Sequence, residues 1–82
     1  MRIQIVGAGC SACRSLEHDV LAWLTQQHVE AQVERVDDLV EIMQLGLWAL
    51  PGLFIDGKLV LAGYPPHSRL DKVLREACGM EV

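Results

Sequence analysis

The chain has 82 residues, of which 51% are hydrophobic and 22% charged, and its formal net charge is −4 at pH 7. This length predicts one domain spanning residues 1–82, with an apolar content suited to a folded core and not to disorder. The acidic balance and the scattered Lys and Arg residues argue against binding to nucleic acid or to a membrane surface.

The sequence indicates neither a membrane span nor a secretory leader. No apolar run approaches the roughly 18 residues that a spanning helix requires, and the first predicted strand follows Met1 without a signal-peptide pattern. Three cysteines, an odd number, do not make the disulfide framework of a small secreted domain. We therefore expect a cytoplasmic protein, in which a closely spaced cysteine pair is catalytic or metal-binding.

In the first half of the chain, strand and helix patterns alternate. Residues 2–6 predict a strand, and residues 11–27 predict a helix whose apolar residues recur at steps of three and four. These residues are Cys13, Leu16, Val20, Trp23 and Leu24. Alternating polarity predicts a half-buried strand over residues 29–34. A second helix is expected to begin at Asp37 or Asp38 and to bury three apolar residues. Those residues are Leu39, Ile42 and Met43.

The second half predicts a hairpin followed by a helix. Asp56-Gly57 separates two short apolar runs, residues 53–55 and 59–61, and this dipeptide is typical of a two-residue hairpin turn. Ser68 is expected to cap the last helix. The apolar face of that helix consists of Leu70, Val73, Leu74 and Ala77. The predicted order of elements is βαβαββα.

Cys10 and Cys13 form a Cys-Ser-Ala-Cys motif at the start of the first helix. Two thiols at this spacing on a helix meet the Cα separation that a disulfide needs, and the unpaired N–H groups of the first turn favour a thiolate. We expect Cys10, at the mouth of the helix, to attack a disulfide, and Cys13, on the apolar face, to resolve the mixed disulfide from inside. The motif therefore indicates thiol–disulfide exchange.

The motif and the segment before the hairpin together resemble the thioredoxin superfamily in its smallest form. Gly9 to Cys13 matches the Gly-Cys-x-x-Cys start of thioredoxin-like small redox-active disulfide proteins, and Leu50-Pro51-Gly52 matches their Leu-Pro-Gly segment. The resemblance extends over essentially the whole chain. It implies an α/β fold, a mixed four-stranded sheet with helices on both faces, and a cis Leu50–Pro51 peptide bond facing the cysteines.

The same resemblance implies a protein disulfide oxidoreductase that requires no bound cofactor. Leu50 and Pro51 would dock the backbone of a disulfide-containing client protein as an added strand. Glutathione is disfavoured as the reductant, because Gly63 is followed by Tyr64-Pro65 where glutaredoxins have a second glycine and a small polar residue. We therefore expect a dithiol reductase similar to thioredoxin reductase as the electron donor.

One departure from the thioredoxin pattern concerns proton transfer. Thioredoxins carry a buried acid on the first strand, six residues before the nucleophilic cysteine, where this chain has Gln4. A glutamine amide cannot accept a proton, so resolution by Cys13 needs water or another group.

Three other interpretations of these residues are open. Cys10 and Cys13 also suit a soft metal such as Cu(I) or zinc, bound or delivered by the two thiolates. A non-catalytic interaction domain with an incidental disulfide is the second alternative. Residues 7–12 satisfy the G-x-G-x-x-A fingerprint of dinucleotide sites, but the further parallel strand and helix that such a site needs are not predicted.

The remaining cysteine and the histidines are expected to have structural roles. Cys78 lies near the end of the apolar face of the last helix, where it is predicted to pack. His18, His28 and His67 are spread over distant segments and are expected to be solvated or to cap helices. No metal ligand is assigned.

Overall fold

The computed structural model describes residues 1–7, 11–47 and 49–79. Within these ranges the chain forms four strands and three helices in the order β1 (Arg2–Val6), α1 (Ser11–Gln26), β2 (Gln32–Val36), α2 (Leu39–Gln44), β3 (Gly52–Ile55), β4 (Lys58–Ala62) and α3 (His67–Ala77). The predicted βαβαββα order and α/β class are confirmed. None of the described helices is long and apolar enough to cross a membrane.

The strands form one mixed sheet in the order β2-β1-β3-β4. β1 runs parallel to β2, with Arg2 opposite Gln32 and Val6 opposite Val36. β3 is antiparallel to both β1 and β4. Because β1 and β3 are the central strands, the end of β1 lies inside the sheet, where Val6 pairs with Gly52 at the start of β3.

Alternation along the central strands divides the core between the two faces of the sheet. Ile3 and Ile5 of β1 belong to a larger cluster, to which α1 and α3 contribute. Its buried members are Ile3, Ile5, Leu16, Val20, Trp23, Leu24, Leu53, Ile55, Leu61, Leu70 and Leu74. A smaller cluster consists of Val6, Ile42 and Phe54, so α2 covers the opposite face. Helices therefore lie on both faces, as predicted.

The β3–β4 hairpin turns at the two residues that the sequence indicates. Asp56 and Gly57 have positive φ angles of 51° and 83°, as a type I′ turn requires. The turn is also bound to the start of β1. There the Arg2 N–H donates to Asp56 Oδ1 at 2.9 Å, and the Asp56 N–H donates to the Arg2 C=O at 2.8 Å. These two bonds fix the hairpin against β1.

The second strand has different bounds from those predicted, because β2 spans Gln32–Val36 and not residues 29–34. The difference arises at the end of α1. His28 adopts a positive φ of 55°, and the Val29 N–H donates to the Leu24 C=O at 3.0 Å. The chain is therefore still completing the helix end where the strand was expected. The alternating apolar residues of this segment nevertheless pack against the larger cluster.

α2 has only six residues and buries one apolar side chain where three were expected. Asp38 caps it, as predicted, by accepting a hydrogen bond from the Val40 N–H at 2.9 Å. Ile42 is 8% exposed, but Leu39 and Met43 are 63% and 80% exposed. The prediction that Leu39 and Met43 face inward is wrong, because a helix of fewer than two turns presents little of its circumference to the sheet.

α3 begins at His67, one residue before the predicted cap. Pro66 is the N-cap residue in an extended conformation, and its C=O accepts a hydrogen bond from the Leu70 N–H at 3.1 Å. The prediction that Ser68 caps α3 is wrong, because the fixed φ of proline already supplies the geometry of a cap residue. Ala77, which was expected on the apolar face, is exposed.

Candidate active site

Cys13 lies in the first turn of α1 and is buried, with 6% of its surface exposed. It is disulfide-bonded. Its predicted partner, Cys10, lies outside the described residues, so the pairing of the two cysteines and the exposed position assigned to Cys10 stay predictions. The burial of Cys13 is the property expected of a thiol on the apolar face of α1.

Gly7 allows the end of β1 to lie against Cys13. A Cβ atom on Gly7 would collide with Cys13 Sγ, and it would lie 3.0 Å from Cys13 Cβ and 3.9 Å from Pro51 Cβ. The Gly7 N–H donates to the Val36 C=O at 2.9 Å, which holds this backbone at the end of the β1–β2 pair. Cys13 and Pro51 therefore meet at Gly7. We did not predict this role, although a glycine at a strand end is a sign of close approach.

The peptide bond between Leu50 and Pro51 is cis. Leu50 is 42% exposed, whereas the Pro51 side chain is fully buried. The Pro51 C=O accepts a hydrogen bond from the Gly63 N–H at 2.8 Å, which joins the segment before β3 to the end of β4. Pro51 therefore lies inside the site beside Cys13, and Leu50 lies at the surface. The docking role assigned to both residues stays a prediction.

A small cavity adjoins Cys13, and its volume of about 10 Å3 has room for about one water molecule. Its walls are formed by Ile5, Gly7, Cys13, Arg14 and Arg35. Arg35 lies on β2 opposite Ile5 in the parallel register, and its Nη1 atom is 3.4 Å from Oε1 of Glu17. In the part of the chain that the structure describes, the two charged residues that line this cavity are cations. We predicted neither arginine as a site residue. Arg35 comes close to Cys13 through the pairing of β2 with β1, whereas Arg14 directly follows Cys13 on α1 but lies outside its apolar stripe.

Gln4, the residue at the position of the thioredoxin acid, lies on the other face of the sheet. It lines a groove with Val36, Glu41, Gln44 and Leu45, beside α2. It is absent from the walls of the cavity at Cys13. Gln4 therefore has no direct part in the surroundings of the Cys13 sulfur.

Tyr64 connects the loop after β4 to α1. Its hydroxyl donates to Asp19 Oδ2 at 2.6 Å. This bond raises the pKa of Tyr64, together with partial removal from water and the negative charge of Asp19. His18 Nδ1 and His67 Nε2 lie 3.7 and 3.9 Å from the same carboxylate. Because Gly63 bonds to Pro51, Tyr64 attaches the surroundings of Pro51 to the helix that carries Cys13. We did not predict this contact.

The histidines do not assemble a metal site in the described part of the chain. Within residues 1–7, 11–47 and 49–79, no three His, Cys, Asp or Glu side chains are arranged to hold a metal ion. His18 and His67 share Asp19 as a neighbour, but they remain mostly exposed.

Cys78, a free thiol, lies at the opposite end of β1 from Cys13. It follows the last turn of α3 and packs, partly buried, against the larger cluster. Its Sγ is 3.9 Å from Sδ of Met1, whereas Cys13 contacts Gly7, so the strand between them separates the two cysteines by roughly 20 Å. Burial raises the pKa of the Cys78 thiol. These features fit the packing role expected from the sequence.

Comparison with known proteins identifies the family. Residues 1–75 match the family model described as the thioredoxin domain. This range contains the four described strands, α1, α2 and all of α3 except its last two residues. A thioredoxin from Methanothermobacter thermautotrophicus is 38% identical to the chain over 63 residues, which cover 77% of this chain and 82% of that protein. The chain therefore belongs to the thioredoxin family, and at the level of that family it is a thiol–disulfide oxidoreductase.

Proposed function

We propose that this protein exchanges disulfides with protein clients through Cys10 and Cys13. The main support is the position of Cys13, which is buried and disulfide-bonded in the first turn of α1 and lies beside Gly7 and Pro51. A buried sulfur that can form and break a disulfide at a helix start is the arrangement that a resolving cysteine needs.

The reaction has two exchange steps. The Cys10 thiolate, favoured by the N-terminus of α1, attacks one sulfur of the client disulfide and forms a mixed disulfide, while the other client sulfur leaves as a thiolate. The Cys13 thiolate then attacks the Cys10 sulfur and releases the second client thiolate. The client gains two electrons and the cysteine pair is oxidised.

Client binding is assigned to the segment at the cis bond. Leu50 is exposed beside the buried Pro51, so an extended client backbone can approach it and pair as an added strand. A backbone-based contact would hold the client sulfur near Cys10 with little dependence on client sequence.

We place the reaction in the cytoplasm and assign recovery of the reduced form to a dithiol reductase similar to thioredoxin reductase. The Tyr64-Pro65 sequence after Gly63 supports this choice over glutathione, because Tyr64 is bonded to Asp19 where a glutaredoxin has its second glycine. The purified protein should therefore be reduced much faster by a thioredoxin reductase with its nicotinamide donor than by glutathione at matched reducing potential.

The first test is the trapping of mixed disulfides. Cys13→Ser should accumulate a stable mixed disulfide with a client through Cys10, because no second thiol resolves it. Cys10→Ser should trap almost none, and Cys78→Ser, the matched control, should retain the turnover of the parent protein. Non-reducing electrophoresis and insulin reduction with dithiothreitol provide the two measurements. Equal trapping by Cys10→Ser and Cys13→Ser would refute the assigned roles.

A parallel measurement addresses the metal-binding alternative. Reduced protein is titrated with Cu(I) in competition with a chelator of known affinity, beside the insulin assay. Disulfide reduction without effective competition for Cu(I) supports the proposal. Strong competition together with inactivity towards insulin would replace it with a metal-delivery function.

A further inference from the structure

The second exchange step needs a thiolate on a buried residue. Cys13 is 6% exposed, and burial in apolar surroundings disfavours the charged form of a thiol. Thioredoxin-type proteins with an acid on the first strand have a proton acceptor there, but this chain has Gln4, which lies on the α2 face. Other groups must therefore stabilise the negative charge of the Cys13 thiolate and accept the proton of its thiol.

Two cationic residues lie beside Cys13 in the structure. Arg14 and Arg35 line the cavity that Cys13 also lines, one from α1 and one from β2. The other described residues of the wall, Ile5 and Gly7 of the β1 segment, are uncharged. Glu17 on α1 is paired with Arg35, with Oε1 of Glu17 3.4 Å from Nη1 of Arg35. Among the described residues, the charges that line the cavity are therefore positive.

The cavity also has the size for a proton carrier. Its volume of about 10 Å3 corresponds to about one water molecule. Its walls include Cys13 and two arginine residues, which distinguishes it from a void lined by apolar residues alone, which would stay dry. Arginine itself stays protonated in proteins, so it stabilises charge and does not accept the proton.

We propose that Arg14 and Arg35 stabilise the thiolate of Cys13 during resolution and that water in the cavity takes its proton to solvent. This inference rests on the proposed function, because it concerns the second step of that reaction. The Cys13 S–H bond breaks and the proton passes to water. The thiolate then forms a bond to the Cys10 sulfur, and the bond between Cys10 and the client breaks. The client sulfur leaves with the electron pair and is protonated by solvent.

The direct test measures the ionisation of Cys13 in the absence of any client. In a reduced Cys10→Ser protein, the 13C shift of Cys13 Cβ is followed by NMR as a function of pH. Replacing both Arg14 and Arg35 by Gln should move the midpoint of this titration upward by about one pH unit, since a nearby opposite charge shifts a thiol by at least this amount. Each single variant should give a smaller shift, and Arg35→Lys should stay close to the parent.

Arg2→Gln is the matched control. Arg2 is also paired with a glutamate, because its Nη2 atom is 3.2 Å from Oε2 of Glu34, but it lies at the other end of β1. The Arg2→Gln substitution should leave the midpoint of the Cys13 titration unchanged, although it also removes one positive charge. An unchanged midpoint in the double variant, or an equal shift in Arg2→Gln, would overturn the inference. The single variants decide the question if the double variant does not fold.

A kinetic arm links the ionisation to the reaction. In a Cys78→Ser background, the reduced protein is mixed rapidly with dithiobis-nitrobenzoate, which releases one coloured thiol on attack and a second on resolution. The double variant should slow the second release about threefold near neutral pH, because higher nucleophilicity offsets part of a tenfold loss of thiolate. An unchanged second release would contradict the inference. Failure of the parent protein to reduce insulin would refute the proposed function, while the NMR midpoints would still decide the role of the arginines.

Discussion

At Gly7, the end of β1 lies so close to α1 that a methyl group would collide with the sulfur of Cys13. Gly52, at the start of the neighbouring strand, is the natural comparison. A Cβ atom there would lie 2.8 Å from Cδ1 of Leu47, which is the end of a flexible side chain and can move. The contact at Gly7 is therefore rigid, whereas the contact at Gly52 can be relieved by movement of the Leu47 side chain.

We expect Gly7→Ala to reduce the free energy of unfolding by about 1–3 kcal/mol, as overpacking in a rigid environment does. Gly52→Ala should cost about 1 kcal/mol or less, because Leu47 can change rotamer. Chemical denaturation of the two oxidised variants measures both values. A smaller loss in Gly7→Ala than in Gly52→Ala would show that the contact with Cys13 is easily relieved.

Tyr64 is the one tyrosine in the sequence, so its ionisation can be read from phenolate absorbance. Its pKa is raised above 10.0 in the folded protein by the hydrogen bond to Asp19. A raised folded pKa favours the neutral form, so the stabilising effect is fully present below about pH 10 and is lost as pH rises through the folded pKa.

The folded protein should therefore titrate at higher pH than the denatured chain, and Asp19→Asn should move the folded midpoint down. The alkaline loss of stability that belongs to Tyr64 should be absent in Tyr64→Phe. Absorbance titration and unfolding curves above pH 9 check these outcomes. A folded midpoint equal to that of the denatured chain would mean that the bond to Asp19 is not maintained in solution.

Among the elements, α2 provides an internal comparison because its buried and exposed apolar residues are neighbours. Ile42→Ala should reduce the free energy of unfolding by about 2–4 kcal/mol, since it opens a cavity against the sheet. Met43→Ser should change it by no more than about 0.5 kcal/mol, because Met43 is solvated. Thermal or urea unfolding gives both values. A large loss in Met43→Ser would indicate that α2 packs more closely in solution.

Local sequence signals predicted the elements with strong periodicity or special turn residues. The apolar stripe of α1 and the turn at Asp56 and Gly57 depend on neighbouring residues, and both are present. The start of β2 depends on the positive φ of His28, a conformation that histidine adopts less often than glycine or asparagine. The burial of α2 depends on how much of it the sheet covers. These two features could not be read from periodicity.

At the scale of the whole molecule, the functional site also combines residues that local sequence signals predict with residues that they do not predict. Cys13 is identified by its spacing and by the helix pattern around it. Gly7, Arg35 and Tyr64 join the site through strand register or through a contact between distant segments. Such contacts between residues far apart in sequence leave no periodic trace, so they were absent from the predicted site.

The order of the strands predicts how protection from solvent is distributed over the molecule. β1 and β3 are central, whereas β2 and β4 form the edges of the sheet. We expect the slowest backbone hydrogen exchange in β1 and β3, and faster exchange in α2 and along the outer edges of β2 and β4. Mass spectrometry with peptide resolution measures this pattern. Slower exchange in α2 than in β3 would contradict the assigned architecture.

The central position of β1 also has a consequence for synthesis on the ribosome. One neighbour of β1 is β2, and the other, β3, pairs Ile3 with Ile55 and is translated much later. Until β3 emerges, the nascent chain exposes the unpaired edge of a strongly apolar strand next to the first two cysteines, a combination prone to wrong pairing and premature oxidation. β1 can therefore complete its pairing only after β3 has left the ribosome.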